Sequence, residues 1–374
     1  MKLEVLQAKD GDCLLLHTDG GDLILIDGGS AGVYKAVLKK RLEQLRGSSP
    51  KLDLRLVMVS HIDSDHITGI ADMLRDLVEK QADGQEARYR IRSLWHNSFA
   101  KLAGGHSAAT QSSIVGASLG GVAPAGLDRD VAAVIASVKQ GNDVRGYAKK
   151  LAIGVNRETN GDLLQAPSAG KKLIPLTAGL TFTILGPREA ELQALEDSWK
   201  AARKTGGANE ESVAADYLNR TVPNLSSIVV LAEAMTASGI RRLLLTGDAG
   251  GDLILDGLES AGLLDSDGRI DVDLLKVQHH GSNHSVDMEF FRRVVAPRYV
   301  ISGNGRHGIP HRDTLEWLSE ARSGHAFDAY LTNRTAENGL TAMFDEFLAD
   351  ETAGQPLHHW HFREDAALAI PVDL

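Results

Sequence analysis

Four short stretches of this 374-residue chain crowd together side chains that can hold metal ions. The densest is "HIDSDH", which puts His61, Asp63, Asp65 and His66 into six positions just after the apolar run "LVMV". "LLLTGDAG" places Asp248 past a second apolar run, and "LLKVQHHGSNHS" places His279, His280 and His284 past a third. "GRHGIPH" carries His307 and His311 through a Gly/Pro turn. A merely polar loop does not need four groups of ligand type in six positions. Neutral imidazole and carboxylate suit zinc, manganese and iron, and their short side chains converge on an ion about 2 Å away. A carboxylate can also bridge two ions. Two divalent ions against the charges of Asp63, Asp65 and Asp248 leave a net positive site, which favours an anionic substrate such as a phosphodiester.

The other candidates are weighed against that frame. Asp248 alone would read as a turn or helix-cap residue, since "TGDAGG" precedes a helix, but the first motif makes it a ligand candidate. His311 follows Pro310 and could equally start a helix. "HHWH" at 358–361 reads as a half-exposed strand, and His17, His96, His106 and His325 stand alone with no role. "DGGSAG" at 27–32 reads as a Gly-rich turn at a strand end. No Walker loop and no G-x-S-x-G elbow is present.

The groups need a scaffold whose strands end at one edge. "KLEVLQA", "CLLLHT" and "DLILIDGG" read as strands separated by Gly/Asp turns, and 32–47 as an amphipathic helix. Residues 52–60 read as the strand that delivers the first motif, 67–80 as the helix after it, and 89–97 as another strand. Residues 98–171 read as an insertion: 103–126 is rich in Gly, Ala and Ser, 129–152 is helical, and 154–171 is loop-like. Strand texture resumes at 180–187, with a helix over about 188–204 and a polar, mobile stretch at 204–215. Strands at 226–234, 241–250, 272–282 and 298–304 follow, with helices near 251–263 and after Arg312, and a last strand at "LHHWHFR". Strands cluster, then a helix, then strands again, as in an α+β plan with helices outside packed sheets. The whole chain, 1–374, reads as one domain.

Composition narrows the partners. With 43% hydrophobic residues the chain can bury a large core, and a net charge of −10 argues against a broad basic surface for nucleic acid. A nucleic-acid substrate remains compatible, because metal ions supply local positive charge. The single cysteine, Cys13, excludes an internal disulfide and reads as a buried apolar residue. The absence of a signal-like N-terminus or a long apolar run predicts a cytoplasmic protein without membrane partners.

These motifs, in this order, resemble the metallo-β-lactamase superfamily, and within it the ComEC-type hydrolase domain of DNA uptake. "LIDGG" is similar to the first superfamily motif, "HIDSDH" to the branch's form of the ligand motif, and "LLLTGDA" to the bridging-aspartate motif. "LLKVQHHGS" and "GRHGIPH" are similar to the late histidine motif and the final turn, and "NLSSIVV" to the strand before the bridging aspartate. The resemblance covers about 1–97 and 173–320, leaving out the insertion and the last fifty residues. It implies a four-layer αββα sandwich with the metals at one edge, and a partly helical insertion. By position it implies that His61 and Asp63 hold one metal and Asp65 and His66 the other, with Asp248 bridging. His280 would complete the second site, with His279 as the other choice, and Asp27 would orient the ligand loop. Asp63 stands where most relatives have histidine, and no histidine occupies the usual third position before the bridging aspartate. An oxygen-richer site leans toward Mn²⁺ over Zn²⁺.

The expected activity is that of a dinuclear metallohydrolase, a nuclease or phosphodiesterase using a metal-bound hydroxide that Asp65 orients. His311 or His284 would stabilise charge or protonate the leaving oxygen, and Ser282 and Asn283 would contact substrate. The rivals are a hydrolase of small esters, lactones or thioesters, and a non-catalytic binding module. The insertion would be a lid or pro-segment, with Arg145, Lys149 and Lys150 near loops that an activating protease or another partner could reach.

Overall fold

In a computed structural model of the chain, residues 1–97, 129–193, 226–335, 339–354 and 357–374 are described, with backbone alone at 129–139 and 352–353. Two large sheets carry the fold. The first runs Ala369–Asp373, Lys2–Leu6, Leu14–His17, Leu23–Ile26, Leu56–Met58 and Leu94–Trp95 in spatial order. The second runs His358–Phe362, Phe327–Leu331, Arg298–Ile301, Leu274–Lys276, Gly239–Leu245, Val229–Thr236, Leu180–Gly186 and Lys172–Thr177.

Period-two alternation sets the layers, and both faces of the central strands are apolar. Leu14, Leu16, Ile24, Ile26, Leu56 and Met58 meet Phe182, Ile184, Val230, Leu243, Leu245 and Val300 of the second sheet in the shared core. The intervening Leu15, Leu25 and Val57 turn outward onto Leu42, Ile67, Ile70, Leu74, Val144 and Ala148. On the far side Leu231, Leu244, Leu275 and Tyr299 pack against Ile254, Leu258, Phe290, Leu315 and Phe344. Helix, sheet, sheet and helix are thus stacked in four layers, the αββα α+β plan.

The strands that matter end at one edge. Leu23–Ile26, Leu56–Met58 and Leu94–Trp95 are parallel, and so are Gly239–Leu245, Leu274–Lys276, Arg298–Ile301 and Phe327–Leu331. Their C-terminal loops therefore meet at the seam between the sheets. The helix after the first motif starts at Ser64 and runs to Ala82, three residues earlier than its apolar periodicity alone indicates, so Asp65 and His66 belong to its first turn.

Other elements differ from the sequence expectation. The 52–60 segment splits into Leu52–Leu54, which pairs with Tyr89–Ile91 in a small sheet, and Leu56–Met58. Strands Lys172–Thr177, Phe327–Leu331 and Ala369–Asp373 and helices Met288–Arg293 and Leu340–Gly354 escape the sequence reading, most of them because they are short or carry a breaker such as Pro175. The insertion's helix is Arg129–Lys150. Residues 154–166 are irregular, but they are not loosely held. Asn156, Leu164 and Ala166 are buried, and the Asn156 side chain donates to the carbonyls of His96 and Asp162 while accepting from the His96 amide. The Gly/Ala/Ser-rich 103–126, the polar 204–215 and most of the 188–204 helix lie outside the described residues. No helix among the described residues is long and apolar enough to cross a membrane.

Candidate metal centre

The first contribution comes from the loop after Leu23–Ile26. Asp27 has φ 58°, in the left-handed region that a non-glycine residue enters only when its surroundings demand it. Its carboxylate accepts from the Ser60 amide and hydroxyl, both at 2.7 Å, and faces Nδ1 of His66 at 2.9 Å. Gly28 lets this loop lie on the Ser64–Ala82 helix: a Cβ there would stand 2.3 Å from the Ile70 nitrogen. Gly69 is the reciprocal contact, where a Cβ would stand 1.9 Å from the Gly28 carbonyl oxygen.

The second contribution comes from the other sheet. Asp248 follows Gly239–Leu245 and is buried. It caps no helix, because Gly250 holds that position before Gly251–Ser260. His279 and His280 follow Leu274–Lys276 with φ 47° and 54°, a pair of successive left-handed residues. That backbone turns both rings toward Asp248.

Four imidazoles surround Asp248 in one pattern. Its Oδ1 lies 3.2 Å from His66 Nε2, and its Oδ2 lies 3.7 Å from His61 Nε2, 3.6 Å from His280 Nε2 and 3.8 Å from His279 Nε2. Each ring is backed on its Nδ1 side. His61 faces the Ser60 hydroxyl at 3.1 Å, His66 faces Asp27, His279 faces the Ser285 hydroxyl at 2.7 Å, and His280 faces the Ser302 hydroxyl at 3.3 Å. The Nε2 atoms are thereby directed inward. Asp65 Oδ2 joins them at 3.3 Å from His280 Nε2, and Asp63 Oδ2 lies 3.8 Å from His61 Nε2. Asp63 precedes the helix as its N-cap residue but spends no side-chain hydrogen bond on capping.

Asp12 is the acid that sequence reasoning missed. One donor atom each from Asp12, His66, Asp248 and His280 lie within 4.8 Å of one another, and all four residues are buried. Asp12 nonetheless stands behind the rings, 3.4 Å from Nδ1 of His280 and 4.0 Å from Nδ1 of His66. It accepts from the Ser302 hydroxyl and pairs with Lys276 Nζ at 2.5 Å. Lys276 is fully buried within its strand. A lysine inside the apolar run "LLKV" was the available signal, since such a charge needs a buried partner.

The electrostatics reflect crowded acids. Burial, then the charges of Asp65 and Asp248, push Asp63 well above the usual carboxylate range. Burial also acts to raise Asp65, but His66 and His280 outweigh it and hold Asp65 at about 2. Burial and the neighbouring His66 lower His61 to about 4, leaving it a neutral donor. Burial opposes charge on His66 and His280, yet the surrounding carboxylates raise both.

The residues fit a divalent cation. His61 Nε2 and Asp248 Oδ1 are buried and have no hydrogen-bond partner among the described residues. Buried polar atoms of this kind require an explanation, and convergent imidazoles held through Nδ1 supply one.

The remaining sequence candidates form the rim. The amide of His311 donates to the Gly281 carbonyl, which places His311 beside the His280 loop. Its Nδ1 accepts from the Asn283 amide at 3.0 Å, so a neutral His311 carries its proton on Nε2. Burial and then His284 lower its pKa, and the two rings meet edge to face at 5.9 Å. His284 is exposed. Ser282 is buried, with its hydroxyl accepting from the His284 amide, and the Asn283 side chain donates to Asp313. His307 is exposed on the adjoining turn. His96, at the end of Leu94–Trp95, is buried beside Gly141 of the insertion's helix and is lowered to about 4 by burial and then Arg145.

Comparison with known proteins agrees with this geometry. The family model of the metallo-beta-lactamase superfamily matches residues 7–146, less than half of the chain but including "LIDGG" and "HIDSDH". Microtubule-associated protein 1A of Homo sapiens is 32% identical over 114 residues, which cover 29% of this chain and 4% of that protein. The chain therefore spans only a small fraction of that relative's length. The superfamily match and the buried Asp/His/Asp/His cluster together support a metal-dependent hydrolase.

Proposed function

We propose that this protein is a dinuclear metal-dependent phosphodiesterase, with nucleic acid as the substrate class. The observation that carries the reading is the arrangement around Asp248: four Nε2 atoms within 3.8 Å of its two oxygens, each ring backed at Nδ1. His61, Asp63 and His279 would hold one ion, and Asp65, His66 and His280 the other, with Asp248 shared. His279 would then supply the imidazole that the sequence lacks at its usual position, as the third ligand beside His61 and Asp63, on the Oδ2 side of Asp248 that it shares with His61. Bound ions, Mn²⁺ or Zn²⁺, would supply Lewis acidity and a water made acidic enough to attack near neutral pH.

The chain's own groups do the rest. Asp27 and Asp12 fix the rings of His66 and His280, so that little reorganisation accompanies reaction. Asp65 lies at the inner face, where it can accept a hydrogen bond from the attacking water. The Nε2–H of His311 is free of its Asn283 contact and can donate to the leaving oxygen, with His284 beside it. Ser282 and Asn283 act by shaping this loop. Charge supports the phosphodiester class, because two divalent ions outweigh the three acids that would hold them and favour an anion. The insertion, by our reading part of the single domain, would border the approach to the centre at Gly141, which lies against Ile62 and His96.

The test is metal analysis of the purified protein, paired with hydrolysis of single- and double-stranded DNA, RNA and a chromogenic phosphodiester under Mn²⁺, Zn²⁺ and Mg²⁺. Metal-dependent cleavage of phosphodiesters is expected. Metal-dependent activity confined to lactones or thioesters would replace the substrate class, and metal binding with no hydrolysis would leave a binding module.

A further inference from the structure

We propose a second, peripheral site for a divalent transition-metal ion, formed by Asp328, His359 and His361 on the edge of the eight-stranded sheet. The strand His358–Phe362 is the outermost of that sheet and runs parallel to Phe327–Leu331. Register places Asp328 opposite His359 and Tyr330 opposite His361. Phe327, Ala329, Leu331, Trp360 and Phe362 turn to the helical side, which leaves Asp328, Tyr330, His359 and His361 on the other face. Histidines two apart on one strand, with a carboxylate across from the first, are three ligand-type groups sharing one patch.

The side chains already converge. Asp328 Oδ1 lies 2.7 Å from His361 Nε2 and 3.6 Å from His359 Nδ1. Among the described residues Asp328 has no arginine or lysine ion-pair partner, although Arg298 stands opposite it in register. The Tyr330 ring stacks on His361 with centroids 4.8 Å apart and an interplanar angle of 22°, which fixes that imidazole. His359 is exposed, its ring centroid 6.4 Å from that of His361. Rotation of this one exposed ring would bring the second imidazole onto an ion held between Asp328 and His361. Two imidazoles and one carboxylate suit Zn²⁺, Co²⁺, Ni²⁺ or Cu²⁺ rather than Mg²⁺ or Ca²⁺, with water completing the coordination. Such an ion would clamp the edge strand to its neighbour.

The site is tested with untagged, metal-stripped full-length protein by equilibrium dialysis against Zn²⁺ and by Co²⁺ absorption. The wild type should bind one equivalent more than the His359→Ala/His361→Ala variant, and Asp328→Asn should weaken that equivalent. The double variant should keep its hydrolytic activity, and its melting temperature in chelator should match the wild type. Carrying out the same comparison in an Asp248→Ala background separates the two centres, because the peripheral equivalent should survive there and vanish on adding the double substitution. Equal zinc stoichiometry with and without His359 and His361 overturns the proposal, whatever the central site does.

Discussion

The Nε2 atoms of His66 and His280 stand 3.2 Å apart, and each ring has a buried acid behind it, Asp27 for His66 and Asp12 for His280. The two histidines come from different sheets, so the contact joins the halves of the sandwich at the edge where their strands end. Two rings facing each other through donor nitrogens conflict if both carry protons there. A cation between them removes the conflict, and the acids behind keep the lone pairs aimed at it.

Asp27→Asn should therefore weaken metal binding about 10–100-fold while the protein stays folded. The carboxylate organises three donors, the Ser60 amide, the Ser60 hydroxyl and His66, and an amide oxygen can replace it only in part. Metal titration followed by circular dichroism would check this. Wild-type affinity in the variant would show that the His66 orientation is set elsewhere.

Lys276→Met should destabilise the fold by about 3–5 kcal/mol, because it strands the buried charge of Asp12. The double variant Asp12→Asn/Lys276→Met removes both charges and should recover much of that loss. It should still bind metal poorly, since the His280 ring loses its acid. Urea unfolding of the single and double variants separates the two effects, and an additive double variant would mean that the pair is not coupled.

Asp248→Ala should abolish metal binding at the central site and lower activity at least about 100-fold without unfolding the chain. Four imidazoles depend on this one carboxylate for their common neighbour. The measurement is metal content together with the melting temperature in chelator. Wild-type metal content would remove Asp248 from the centre.

Much of this architecture was legible because both faces of the central strands are apolar and each ends in a polar loop. The runs around Leu14–His17, Leu23–Ile26 and Gly239–Leu245 could hardly be anything but buried strands. Asp12 was hidden by its setting in "KDGDC", which reads as an ordinary turn until Lys276 and His280 arrive from far along the chain. The sequence offers His279 only as an alternative to His280, since it cannot show that two left-handed residues in succession turn both rings toward one carboxylate. Residues 154–166 read as a loop because their order comes from Asn156 and Asn97 side chains and not from periodicity.

That polar network sets an expectation for the insertion. Limited proteolysis should leave 154–166 intact, because the Asn156 side chain is bound to the His96 amide, the His96 carbonyl and the Asn97 side chain, and Leu164 is bound through Asn97. Asn156→Ala should expose the segment to cleavage at protease concentrations that spare the wild type. Mass spectrometry of the first fragments decides the matter, and early cuts within 154–166 of the wild type would show that the network does not hold it.

Asp63→His should shift metal preference toward Zn²⁺. Asp63 is the half-buried member of the His61 side, and crowding by Asp65 and Asp248 already pushes its carboxyl upward. Replacing it removes one negative charge from that cluster and adds a softer nitrogen ligand. With His279 on the same side of Asp248, the altered set would carry three imidazoles, a combination that suits Zn²⁺ better than Mn²⁺. The gain should require His279, so Asp63→His/His279→Ala should lose it. Activity and affinity measured across Mn²⁺ and Zn²⁺ for wild type, single and double variants provide the check. An unchanged metal order in Asp63→His would remove residue 63 from the ligand set, and a shift that persists without His279 would remove His279 from that side of the site.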